Sequence, residues 1–119
     1  MQLVNSTNGV LLADNIELAT SFKKRLKGLI GRPSLNHGEA FILLPCNSIH
    51  TFFMSFSIDV LFVDKDAVVL QALENMRPFR FSPIISRSYM VVELPAGCLA
   101  ATDTGTGHRV EIIVKEAVS

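Results

Sequence analysis

The chain has 119 residues, of which 49% are apolar and 18% charged. That is enough for one hydrophobic core, too short for two, and too apolar for a disordered or low-complexity segment. Eleven Lys and Arg balance eleven Asp and Glu, which excludes a histone-like protein whose whole surface holds a polyanion.

A single domain over residues 1–119 is therefore expected. A secretory leader needs a basic start and an apolar run of about 7–15 residues. Here Leu11, Leu12 and Ala13 give way at once to Asp14 and Glu17, and the first basic residue is Lys23. No run approaches the roughly 18 apolar residues of a membrane helix. The chain as written reads as cytoplasmic and without a membrane span, or as exported if a leader has been cleaved.

Residues 20–31 carry Phe22, Leu26, Leu29 and Ile30 on one 3.6-residue stripe, which predicts an amphipathic helix. Thr20 or Ser21 serves as its N-cap, and Gly31 with Pro33 ends it. Gly28 inside it costs about 1 kcal/mol relative to Ala, or admits a close neighbour. Short runs rich in Val, Ile and Phe follow and predict strands: Ala40–Leu44, Ile49–Met54, Ile58–Val63, Ala67–Leu73, Tyr89–Leu94 and Val110–Val114. Asp64-Lys65-Asp66 predicts an antiparallel hairpin between the third and fourth. Leu94-Pro95-Ala96-Gly97 suits a type I turn, and Thr102–Gly107 a polar loop. Ile58–Val63 is apolar on both faces, as interior strands are, whereas Val110, Ile112 and Val114 alternate with polar residues. The fold class expected is mainly β (α+β): a small antiparallel sandwich or barrel with one main amphipathic helix.

Few residues suggest chemistry. Cys46, His50 and Met54, spaced by four, match the thiolate, imidazole and thioether of a blue-copper site, which also needs a second histidine, here His37 or His108. A Met-Phe strand face is more often core, and no other metal signature is present, so no metal and no cofactor are expected. Cys46 and Cys98, the only cysteines, read as buried free thiols rather than a disulfide framework. His50 and Thr51 are polar outliers in an apolar stretch, and Asp59 and Glu93 interrupt strands that otherwise read as buried. A buried carboxylate needs a partner; Arg32, between Gly31 and Pro33, is one for Asp59, either as a clamp between helix and sheet or as part of a pocket. Arg32, His50, Thr51, Asp59 and Glu93 are thus the candidate ligand-binding residues. Catalytic residues are not identifiable, since no nucleophile elbow, phosphate loop or dinucleotide fingerprint occurs. Charge is uneven in place: residues 23–32 hold five basic side chains and no acid, and Arg77, Arg80 and Arg87 form a second acid-free stretch beside Phe79 and Phe81.

Three stretches together resemble a known family. Arg25–Arg32 with Leu35, Phe53–Asp64, and Val92–Gly97 followed by Gly107–Val110 resemble the uncharacterised family called domain of unknown function 192, over most of the chain from about Ala19 to Val110. Many members read Gly-Leu-Met and Phe-Trp-Met where this chain has Gly28-Leu29-Ile30 and Phe52-Phe53-Met54; the apolar character is kept. The resemblance implies a compact, mostly β domain of bacteria and archaea, often behind an export signal, and no known reaction, cofactor or catalytic residue. Its polar motif positions fall on Arg32, Asp59 and Glu93, and its glycines on Gly28, Gly97 and Gly107.

The function expected is a binding or accessory domain without catalysis, for a small ligand or a protein partner. One alternative is a small hydrolase or lyase using His50 with a carboxylate. The weakest is anion or nucleic-acid binding through residues 23–32 and 77–87.

Overall fold

The computed structural model describes residues 1–114 as eight strands and two short helices. Strands β1 (Gln2–Asn5), β2 (Val10–Ala13) and β8 (Val110–Ile113) form an antiparallel sheet in the order β2-β1-β8. Strands β3 (Asn15–Ala19), β4 (Glu39–Leu43), β7 (Met90–Pro95), β5 (Ile58–Val63) and β6 (Val69–Met76) form a second sheet in the order β3-β4-β7-β5-β6. Both sheets are open, so the two-sheet alternative and not the barrel is the one realised. Pairing is antiparallel except between β3 and β4. That parallel pair follows from its connection, residues 20–38 with helix α1 (Phe22–Lys27), since a parallel neighbour needs a long crossover.

The larger sheet is buried on both faces. Strand alternation sends Ala40 and Ile42 of β4, Leu61 and Val63 of β5, and Met90, Val92 and Leu94 of β7 toward the smaller sheet, where they meet Leu3, Leu12 and Val110. The intervening residues Phe41 and Leu43, Val60 and Phe62, and Val91 face the other way, under Leu29, Leu35 and Met54 from the connecting segments. All six residues of β5 are consequently buried, as its two-faced apolar pattern predicts.

Several boundaries differ from the sequence reading, each for a local reason. α1 spans only Phe22–Lys27: Ser21 Oγ accepts from Lys24 N at 3.2 Å at its start, and Gly28 stops it at φ 51°, ψ −132°. The expected apolar stripe is thereby split. Leu29 is buried beyond the helix end, whereas Phe22 and Leu26 are 73% and 62% exposed. Ile49–Met54 is not a strand. His50 makes one bridge to Phe81, and the chain then turns back, Met54 N donating to Thr51 O, with Phe53 at φ 65°. Strands β1 to β3 and helix α2 (Cys98–Ala101) are additions, each only four or five residues long and so too short to show a period. The β5–β6 hairpin stands as predicted, with Asp64 Oδ1 accepting from Asp66 N at 2.8 Å and Val68 N at 3.0 Å. Cys46 and Cys98 are both free and half-buried, and they pack on opposite faces of the larger sheet.

Candidate functional site

Glu93 lies in β7, the middle strand of the larger sheet, opposite Phe41 of β4 and Val60 of β5. Alternation with Val92 and Leu94 turns its side chain to the face covered by α1 and the 46–54 segment. It is 3% exposed, and among the described residues its carboxyl group has no hydrogen-bond partner. Instead it reaches a cavity of about 290 Å³, walled by Arg25, Leu26 and Gly28 on one side and Cys46, His50 and Met54 on the other. Removal from water raises the Glu93 pKa to about 8, against the opposing pull of the Arg32 guanidinium. The Cys46 thiol is also pushed up, by burial first and further by the Glu93 charge, while its Sγ donates to Ser48 O at 3.2 Å. At neutral pH the cavity therefore presents a protonated thiol and a carboxyl group that is mostly protonated, able to donate as well as accept.

The other sequence-selected residues are placed differently. His50 shares the cavity with Glu93. Its Nδ1 accepts from Phe52 N at 3.2 Å, which puts the proton of the neutral ring on Nε2, and its ring packs near Phe52 and Phe81. No hydrogen bond joins it to a carboxylate among the described residues. Arg32 donates to Glu17 Oε1 at 2.6 Å and stacks over the Phe41 ring at 5.4 Å, in a neighbouring hollow with Gly28 and Gly31. It therefore does not clamp Asp59. That carboxylate is fully buried and accepts from Asn75 N at 2.8 Å, Gly97 N at 3.1 Å and Leu99 N at 2.9 Å. Those bonds tie the β6 end and the start of α2 to β5, on the face opposite Glu93. Gly97 takes φ 94° there, a conformation glycine adopts without the Cβ penalty. Thr51 is fully buried: its hydroxyl donates to Arg77 O and accepts from Arg80 N at 3.0 Å, pinning the 77–80 loop. Of the five, the structure brings His50 and Glu93 to one cavity, keeps Arg32 beside it, and assigns Thr51 and Asp59 to holding loops.

Sequence reasoning missed Arg25 and Ser48 as cavity walls, and no local signal marks them. The spacing of four in Cys46, His50 and Met54 does deliver three side chains to one hollow. Neither His37 nor His108 joins them: His108 Nδ1 meets Asn5 Nδ2 at 2.9 Å. Among the described residues no group of three or more His, Cys, Asp or Glu side chains is arranged to hold a metal ion, and no helix is long and apolar enough to cross a membrane.

The sequence profile of DUF192, described as "Uncharacterized ACR", matches residues 3–112. The chain belongs to this family. Curated DUF192 relatives include the UPF0127 protein of Thermococcus sibiricus, 34% identical over 119 residues, with 96% of this chain and 76% of that protein covered. The UPF0127 protein of Pyrococcus abyssi is 32% identical over 117 residues, covering 93% and 97%. Among solved structures, a protein of unknown function from Novosphingobium aromaticivorans superposes with TM-score 0.81 at 23% identity, covering 93% of this chain and 82% of that one. A Sinorhizobium meliloti protein gives TM-score 0.75 at 24% identity, covering 92% and 89%. The two solved structures show the fold alone; the family is described as uncharacterised, and the Sinorhizobium meliloti protein as a "putative transcription regulator".

Proposed function

We propose that the chain is a binding module for a small ligand, which enters between α1 and the 46–54 segment and is anchored by Glu93. One observation carries this reading: a carboxyl group only 3% exposed, without a hydrogen bond among the described residues, and open to a largely apolar cavity into which Arg25 and His50 also converge. A cavity with a few convergent polar groups is the usual form of a ligand site. A protonated Glu93 can donate to an acceptor on the ligand, and Arg25 and His50 offer further polar contacts. Phe22 and Leu26 leave the entrance apolar.

The test is thermal denaturation against a panel of small carboxylic acids, amines, nucleosides and monosaccharides. A true ligand raises Tm progressively with its concentration. That rise should be lost in Glu93→Leu and reduced in Glu93→Gln and His50→Ala. A ligand whose effect is unchanged in all three variants places the site elsewhere.

A second reading, a hydrolase or lyase using His50 with a carboxylate, is favoured by the shared cavity of His50 and Glu93. It requires a hydrogen bond of about 2.6–3.2 Å from His50 to its acid or to substrate. Turnover of an ester or lyase substrate panel that vanishes in His50→Ala is its test.

A further inference from the structure

We propose that the face around the cavity mouth docks on an anionic lipid bilayer. Residues 20–37, 44–57 and 77–89 cover the face of the larger sheet that carries Phe41, Val60 and Phe62, and pack Leu29, Leu35, Met54 and Ile85 against it. These three segments hold eight of the eleven Lys and Arg residues of the chain and none of its Asp or Glu. Glu17 pairs with Arg32, and Asp64 and Asp66 share a hollow with Arg87, so the basic excess of this face rests chiefly on Lys23, Lys24, Arg25 and Lys27. Six large apolar side chains project from the same segments: Phe22, Leu26, Phe53, Phe79, Phe81 and Ile84, with Phe53 72% and Phe81 77% exposed.

The apolar groups run on from the cavity. Phe22 and Leu26 line it opposite His50, His50 packs near Phe81 at 6.5 Å, and Phe52 links Phe81 at 4.7 Å to Phe79 at 5.9 Å. Phe53 and Phe79 complete the set, their ring centroids 5.9 Å apart. Both have positive φ, 65° and 61°, a region that bulky residues rarely occupy and that persists where the surroundings enforce it. The unfavourable backbone does not bury these two rings. It presents them to solvent at the turns.

Charge complementarity selects the occupant. A second copy presenting the same net-basic face would be repelled, whereas a polyanionic surface is attracted. A single nucleic-acid strand is held by stacking on aromatic rings, whereas Leu26 and Ile84, which are 62% and 74% exposed among the projecting groups, cannot stack bases. A bilayer accepts projecting apolar groups of any shape and places basic side chains at its headgroups. The inference does not depend on the cavity being a ligand site.

Co-sedimentation of the full chain with phosphatidylglycerol–phosphatidylcholine vesicles, and with phosphatidylcholine alone, tests it. Binding should favour the anionic vesicles by roughly tenfold or more and weaken with salt. Phe53→Ala/Phe79→Ala and Lys23→Glu/Lys27→Glu should each lower binding about tenfold, with circular dichroism unchanged because all four side chains are exposed. Absence of vesicle binding, equal binding to neutral vesicles, or binding indifferent to both double variants overturns the proposal. Tighter capture by a soluble single-stranded oligonucleotide or by polyglutamate also overturns it.

Discussion

Asp59 and Glu93 stand on hydrogen-bonded strands, one register position apart, and face opposite sides of the sheet. Asp59 pairs with Leu94 and Val60 with Glu93, so strand alternation sends the two carboxyl groups into different environments. One meets three backbone N–H groups; the other meets a cavity. Chemically similar interruptions of apolar strands thus meet separate surroundings, backbone donors for Asp59 and a cavity for Glu93.

Glu93 makes stability fall with rising pH. Its carboxyl group ionises near 4.5 in the unfolded chain and near 8 in the folded one. The folded state therefore binds the extra proton between those values. The stability linked to this group is present in full below about pH 4.5 and is lost as pH rises through about 8. Urea denaturation across this range should show a decline on the order of a few kcal/mol, absent in Glu93→Gln. A flat wild-type profile would mean that Glu93 has a partner holding it ionised.

Asp59→Ala should destabilise the fold without touching the cavity. It strands the N–H groups of Gly97, Leu99 and Asn75, for a loss of about 3 kcal/mol. Chemical denaturation gives the magnitude. Any ligand found for the cavity should keep its affinity under conditions where the variant is folded.

Phe53→Gly should raise stability, by about 1 kcal/mol, because glycine occupies positive φ without strain and little burial is lost from an exposed ring. The same variant should bind anionic vesicles less well. Gain in one measurement and loss in the other would separate presentation of the ring from maintenance of the fold.

Alkylation by iodoacetamide at neutral pH should be slow at both thiols, about tenfold or more below a free cysteine, because burial raises both Cys46 and Cys98. Mass spectrometry resolves the two. Cys46 alone should be protected further by a ligand in the cavity, since Cys98 packs on the other face of the sheet.

Legibility in the sequence followed period. Ile58–Val63 and its hairpin could be read because an unbroken apolar run and an Asp-Lys-Asp turn each have one simple realisation. Ile49–Met54 misled because its apolar residues pack from a turn rather than a strand, which tertiary packing permits and local pattern does not register. Glu93 and His50 could be marked as polar outliers, but their meeting depends on the β4-β7-β5 order, which no short window contains. Arg32, one candidate partner for Asp59, meets Glu17 instead for the same reason: it sits over Phe41, the residue that Glu17 faces in the parallel β3–β4 pair, a pairing absent from an all-antiparallel expectation.

The sorting of ionic groups in this fold also governs how the molecule meets a boundary. An isoelectric point near neutrality describes the sum and is silent about orientation. A particle with its cations gathered on one side carries a dipole, so beside any negatively charged wall it turns before it touches. Cation-exchange resin should therefore retain this nominally neutral protein, with the cavity entrance toward the bead.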